Sequence, residues 1–415
     1  MSDNARVLVV GTTPDYVDRI RRIRPGKGLF LTDPQLRKNA AEPPPMADEE
    51  VLCPLNPEEA RKAVEKHLKA RRMELAGIVC FDCESLILAA ELAEELDLDF
   101  PSSQAAANCR NKFRAKTLWA AAGLPTPGFC LAEGPAQAEA FMAGHNPPWV
   151  VKPVDGSGSS LVFKMDSRED WTKAVAAAES FFVRQSKDPQ EAWPMLIEEI
   201  ALGREYSADF LVVGCQARIL RLTAKHRLTS GHFGITQAYE LRDGLFSPKE
   251  TAALEGLFAE AARAVGVKAC ICMVDFILNE NGPWLLEMAP RPGGDCLPLL
   301  LRNAGGPDTM ALAMDFAAKV PIHWKQKPLK PHVGMRIFAP HDGVLERLEP
   351  GGLLKDKRVL CFEPLRRIGD SIKLPPRDYD SWILANVIYR PDAGRDVALQ
   401  NRDLTGLADI RIKRP

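Results

Sequence analysis

The stretch CMVDFILNENGPWLLEMAPRPGGD, Cys272 to Asp295, decides the reading of this chain. Two apolar runs flank Asn-Glu-Asn-Gly, the mark of a β-hairpin, and a three-residue loop Glu280-Asn281-Gly282 gives glycine the left-handed position such a loop needs. That register sets Asn279 opposite Pro283 and therefore Asp275 opposite Glu287. Two facing carboxylates repel unless something positive lies between them. Neighbours as apolar as Met273, Val274, Phe276, Leu285 and Leu286 argue against a wet sheet face. Mg2+, which takes oxygen ligands from one or two carboxylates plus nucleotide phosphates, suits the pair. Just beyond, Arg291 is stiffened by Pro290 and Pro292 and placed to hold a carboxylate, or the acyl phosphate made from it, bidentately. Gly293 and Gly294 let a substrate approach the backbone. Asp295 either takes a substrate amine or caps the helix that CLPLLL begins.

Upstream, WVVKPVDGSGSSLVFKM places Lys152 inside an apolar strand, where a buried ammonium needs an anionic partner. The hairpin loop Asp155, Gly156, Ser157, Gly158, Ser159, Ser160 offers amides and hydroxyls to phosphates, and the alternative is an edge-strand lysine above a flexible turn. It is not a Walker loop, whose lysine follows the glycines and opens a helix. In NCRNKFRAK, Lys112 and Lys116 share one helix face, by itself usually a solvated basic face. In MLIEEIALGREYSADF, Glu198 and Glu199 end a strand ahead of Gly203 and Glu205. This is either an exposed turn or a hinge whose backbone pairs with adenine while a carboxylate takes ribose hydroxyls.

Length and composition set the frame. At ~100–200 residues per domain, 415 residues imply two or three domains. With 54 basic and 55 acidic residues the net charge is −1, which suits no polyanion partner. The N-terminus MSDNARVLVV has no secretory pattern, and the most apolar run, ACICMVDFIL, is short and carries Asp275. A cytoplasmic protein that neither binds nucleic acid nor enters a membrane is expected. Ten scattered cysteines read as reduced thiols. CFDC, with Cys80 and Cys83, is either a thioredoxin-like redox pair or two strand-end cysteines.

The chain opens as α/β: RVLVVG, GLFLTD and GIVCFD read as strands alternating with helices. GTTPD after the first strand lacks the dinucleotide fingerprint, which excludes the NAD reading. From about residue 111 short strands and Gly/Pro turns take over, with helices expected at 168–184 and 248–265. After about 328 the chain becomes Pro- and Gly-rich with short apolar pieces, the texture of a small β-rich domain or lid.

The order of these motifs resembles the ATP-grasp superfamily over roughly residues 1–330, closest in appearance to the carboxylate–amine, or L-amino acid (dipeptide), ligase branch. The resemblance implies an α/β and α+β architecture. A small doubly wound domain (1–110) precedes an ATP-grasp domain (111–328, subdomains about 111–195 and 196–328) that clamps ATP, and a small β-rich domain (329–415) follows. It implies that Lys112 and Lys152 bind phosphates under the Asp155–Ser160 loop, with Lys225 counted among the cofactor-binding residues, and that Glu198, Glu199, Ile200 and Ala201 form the adenine hinge. Glu205 then meets the ribose, and Asp275 and Glu287 hold one or two Mg2+ ions, with Mn2+ admissible. Arg291 and Lys152 are the implied catalytic groups, with Gly293, Gly294, Asp295 and His232 toward substrate. Many members carry asparagine two residues after the metal glutamate, where this chain has Ala289; the second metal site is then weaker or completed by Asp275.

GHFGITQAY keeps His232 and Phe233 of the branch's substrate segment but has Ile235 and Ala238 where an acid and a second histidine are usual. Lys225, His226 and Arg227 either add positive charge near phosphate or substrate, or are structural. The implied reaction is ATP-dependent activation of a carboxylate as an acyl phosphate and its capture by an amine, releasing ADP and phosphate. The partners are small-molecule carboxylates and amines, and a homodimer is the oligomer considered. The alternatives are a carboxylase forming carboxyphosphate, and a non-catalytic nucleotide-binding protein.

Overall fold

Ala5–Val10 is apolar at nearly every position because the parallel sheet it belongs to is covered on both faces. The computed structural model describes residues 4–11, 14–38, 43–184, 193–228, 231–322 and 328–414, so part of GTTPD lies outside the described residues. Strands Glu50–Leu52, Gly28–Thr32, Ala5–Val10 and Glu74–Cys80 lie in that order, all parallel. Leu8 and Val10 pack with Leu86 and Leu92 of helix Leu86–Glu95 on one face. Val7 and Val9 pack on the other with Ile20 and with Met310 and Met314 of helix Thr309–Ala317. A helix from late in the chain thus completes the doubly wound layer. The strands' C-terminal ends, where ligands gather in open α/β sheets, carry the turn Asp82–Glu84.

Two antiparallel sheets follow. Phe129–Ala132, Met195–Glu199, Trp149–Pro153 and Phe163–Met165 form a four-stranded sheet. Its Trp149, Val151, Met195 and Ile197 pack against Phe141, Trp171 and Ala174, the last two from helix Arg168–Arg184. The larger sheet has eight strands in the order Gly282–Ala289, Ala269–Asn279, Arg204–Val213, Gln216–Arg227, Thr236–Leu241, His332–Phe338, Ile383–Tyr389, Val359–Pro364. Helix Pro248–Val265 covers it, starting at a capping box of Ser247 with Glu250 and ending at Gly266 in the left-handed region (φ 92°). Both helices occupy the spans expected from periodicity. The C-terminal segment is β-rich, and three of its strands extend the eight-stranded sheet while Ser371–Ile372, Gly343–Glu349 and Asp409–Lys413 form a small sheet of their own.

The hairpin that anchored the sequence reading needs one correction. Gly282 does take a positive φ (102°), but the ladder pairs Asn279 with Gly282 and Leu278 with Pro283, one residue off the expected register. A bulge at Leu286 then restores it, so that Asp275 faces Glu287 as expected, for a different reason. The extra residue turns Glu287 toward Asp275 rather than to the opposite face.

Candidate active site

Lys152 has its anionic partner, and it is Glu198. Val150 lies directly opposite Glu198 across the ladder, so Lys152 is the diagonal neighbour on the same face. Its ammonium is 2.5 Å from Glu198 Oε1, and Glu198 Oε2 is 3.0 Å from the ammonium of Lys116. Lys116 also donates to Thr126 Oγ1 (3.0 Å) and to the carbonyl of Leu285 (3.4 Å). With 0% exposure, Lys116 is no solvated surface lysine; burial pulls its pKa down to about 8 even with Glu198 beside it. The side chain of Glu198, read from sequence only as part of a hinge, ties the Lys112–Ala121 helix to the four-stranded sheet.

Lys112 opens that helix, behind an N-cap in which Asn111 accepts from the amide of Arg114. Its ammonium donates to the carbonyl of Gly156 (2.5 Å) and lies 3.6 Å from Glu287. The helix therefore begins under the glycine–serine loop. That loop holds Ser159 (φ 59°) and Leu161 (φ 57°) in the left-handed region, a strain of roughly 1–3 kcal/mol each. Ser157 Oγ donates to Glu84 of the N-terminal domain.

Across the cleft, Lys225 bridges Glu205 and Asp275 at 2.6 Å each, and Arg227 reaches the other Glu205 oxygen at 2.7 Å. Burial works against the Lys225 ammonium, but Asp275 and Glu205 hold its pKa well above the ordinary lysine value. Burial raises the pKa of Asp275, offset in part by Lys225. Its second oxygen, Oδ1, is buried without a hydrogen-bond partner. An orphaned carboxylate oxygen on a residue paired across the ladder with a second carboxylate fits a hard divalent cation. Among the described residues no group of three or more carboxylates, imidazoles and thiols that could hold a metal stands together, so Asp275 and Glu287 are the carboxylates that would hold such an ion.

These groups line one cleft: Lys112, Lys152, residues 156–160, residues 198–201, Glu205, Lys225, Asp275 and Glu287. Asp155 does not line it; its carbonyl accepts from Arg110 instead. The cavity is only about 110 Å³, below the ~300–1,000 Å³ of ligand pockets, so a ligand of that size would fit only if the two sheets parted or the loop lifted.

Sharing Asp275 and Glu287 with this cleft is a chamber of about 310 Å³ that also borders Lys112 and Lys225 and reaches Arg291, Asp295, Tyr239 and Arg336. Asp295 is held at φ 54°, accepting from the Tyr239 hydroxyl (2.7 Å) and lying 3.4 Å from Arg336. It is not a helix cap: helix Leu297–Asn303 has Cys296 at its N-cap and no side-chain cap. Gly294 borders the chamber, and a Cβ there would lie 2.6 Å from the Tyr16 hydroxyl. Gly293, expected to receive substrate, faces inward, donating its amide to Asp209 of the buried Asp209–Arg221 pair. His232 also misses the site. Its turn folds back so that the ring packs on Tyr379 and Trp382 (centroids 6.3 and 6.2 Å), lining neither cavity, while Phe233 reaches the cleft.

Sequence reasoning missed Lys116, Tyr239 and Arg336. Arg336 carries the signal that flagged Lys152, a cation inside an apolar strand, VGMRIFA; Lys116 was signalled only by its spacing from Lys112.

Residues 145–298 match the ATP-grasp domain. A D-alanine–D-alanine ligase of Aromatoleum aromaticum is 31% identical over 239 residues, covering 54% of this chain and 71% of that one. The chain belongs to the ATP-grasp family. Within this family it falls in the carboxylate–amine ligase branch. A second D-alanine–D-alanine ligase, from Azoarcus sp., is 28% identical over 209 residues, 48% of this chain and 64% of that one. Among solved structures, an L-amino acid ligase from Bacillus licheniformis superposes with a TM-score of 0.76 over 99% of both chains at 18% identity. N5-carboxyaminoimidazole ribonucleotide synthetase from Thermus thermophilus gives 0.66 over 96% of both at 16%. These two show that the chain shares their fold over nearly its whole length. No helix among the described residues is long and apolar enough to cross a membrane.

Proposed function

We propose that this ATP-grasp ligase uses ATP and Mg2+ to activate a small carboxylic acid as an acyl phosphate and joins it to an amine, releasing ADP and phosphate. The observation that carries this reading is that the nucleotide cleft and the Arg291 chamber share Lys112, Lys225, Asp275 and Glu287. A γ-phosphate bound over these groups meets an acid bound at Arg291 without either leaving its cavity.

In this reading Lys112 and Lys152 hold phosphate oxygens, the 156–160 loop closes over them, and residues 198–201 take the adenine. Glu205 keeps a free lone pair on each oxygen for ribose hydroxyls after serving Lys225 and Arg227. Asp275 and Glu287 would hold Mg2+, which when bound spreads the charge of the transferring phosphoryl group. Arg291 orients the acid's carboxylate and stabilises the charge that develops on it. Arg336, Asp295 and Tyr239 border the far side of the chamber, where paired cation and carboxylate suit a substrate bearing both charges. The names of the relatives, D-alanine–D-alanine ligase and L-amino acid ligase, support amino acids as the acid and the amine.

The test is phosphate release from MgATP across a panel of amino acids and other carboxylic acids, with and without amines, beside Glu287→Ala. Release that needs an acid and vanishes in the variant is expected; bicarbonate as the only effective acid would move the reading to a carboxylase, and AMP as product would refute it.

A further inference from the structure

The CFDC pair has no part in the nucleotide cleft, yet the structure brings Cys83 to Arg291. Strand Glu74–Cys80 ends the parallel sheet, and the following turn is pinned by Asp82 Oδ1, which accepts the amide of Ser85 at 2.7 Å. The turn delivers the Cys83 sulfur into the Arg291 fork, where Nε and Nη2 both donate to it at 3.2 and 2.8 Å, while Nη1 donates to the carbonyl of Pro292. A sulfur that takes two N–H bonds from one guanidinium edge stands where a bidentate carboxylate would. Cys83 is half-buried and lines the same chamber as Asp275, a residue 7% exposed whose Oδ1 has no hydrogen-bond partner.

We propose that Cys83 and Arg291 form a carboxylate-directed thiol site: an acid bound to the fork displaces the sulfur and presents its adjacent carbon to it. This rests on the reading of Arg291 as the acid's anchor. The ligand class is small carboxylic acids bearing an electrophilic carbon next to the carboxylate. With iodoacetate as the probe, the sulfur forms a bond to the methylene carbon, the C–I bond breaks, iodide leaves and the thiol proton passes to solvent.

The experiment compares iodoacetate with its neutral analogue iodoacetamide on the intact protein, mapping rates by peptide mass spectrometry, with exposed Cys215 as the internal reference. The expected result is an iodoacetate-to-iodoacetamide rate ratio at Cys83 at least about tenfold above that at Cys215, saturating with iodoacetate and suppressed by unreactive acetate at Cys83 alone. Arg291→Gln should abolish the excess, and the acetate competition needs no variant. Equal ratios at the two cysteines, or an excess that acetate does not suppress, would overturn the proposal. Acid-dependent phosphate release in the same preparation separates the two readings. If release persists without the excess, the ligase reading stands and this one fails; the excess without release leaves the thiol site standing and refutes the ligase reading.

Discussion

Glu198→Gln removes one charge from a site where three meet. The carboxylate is 3% exposed and links Lys152 at 2.5 Å to Lys116 at 3.0 Å. Glutamine keeps the volume and one acceptor, so the loss is that of charge, leaving two ammonium groups in one pocket. Removing one partner of a buried ion pair costs roughly 3–5 kcal/mol, a large share of the ~5–15 kcal/mol by which folded proteins are stable. The pH dependence follows from Lys116, whose folded pKa of about 8 lies below its ordinary 10.5. The unfolded chain then binds more protons, and this lysine makes stability rise with pH between those two values. Without Glu198 the folded value falls further. At neutral pH the variant must therefore keep an unpaired ammonium or give up a proton the unfolded chain retains, whereas above about pH 8 wild-type Lys116 is itself losing its charge and the two proteins converge. Urea unfolding should show a loss of about 3–5 kcal/mol near about pH 6.5, smaller by at least ~1 kcal/mol near about pH 9.5. A loss below ~1 kcal/mol at both, or one that grows with pH, would refute the assignment of Glu198 as the anion that Lys116 and Lys152 share.

Asp275→Asn keeps the side-chain volume but removes the charge that the orphaned Oδ1 would bring to a metal. The Mg2+ concentration for half-maximal ATP turnover should rise at least about tenfold, and an unchanged Mg2+ titration would count against the pair as ligands. Gly294→Ala drives a Cβ to 2.6 Å from the Tyr16 hydroxyl, so thermal unfolding should report about 1–3 kcal/mol of destabilisation with a fall in acid-dependent turnover; wild-type behaviour in both would show that the approach carries no constraint. Ser247→Ala breaks the capping box of helix Pro248–Val265, which lines neither cavity. It should cost about 1 kcal/mol in denaturant melts with ATP turnover unaltered, and a turnover defect would mean that this helix is coupled to the site.

Much of this site was legible because its signals are local. Lys152 in an apolar strand, the glycine–serine loop and the Asp275–Glu287 pair each declare themselves within a few residues, and the 168–184 and 248–265 helices show in periodicity. What escaped depends on pairing at a distance. No local pattern says that the strand of Lys152 lies beside that of Glu198, 46 residues on, or that Cys83 meets Arg291 across 208 residues. Arg336 enters the chamber because its strand pairs with Thr236–Leu241 in the larger sheet, a contact set by topology. His232 lies away from both cavities for the same reason: its ring packs on Tyr379 and Trp382. The hairpin is the instructive case, since a register error of one residue was cancelled by a bulge that periodicity cannot reveal.

The central claim is that an acid held at Arg291 attacks the γ-phosphate across the Asp275–Glu287 pair. The most direct measurement supplies the acid with heavy oxygen in its carboxylate and analyses the phosphate released with ADP by mass spectrometry. Transfer of one labelled oxygen to phosphate, in step with amide formation, is predicted; unlabelled phosphate, or label in AMP, would contradict the account.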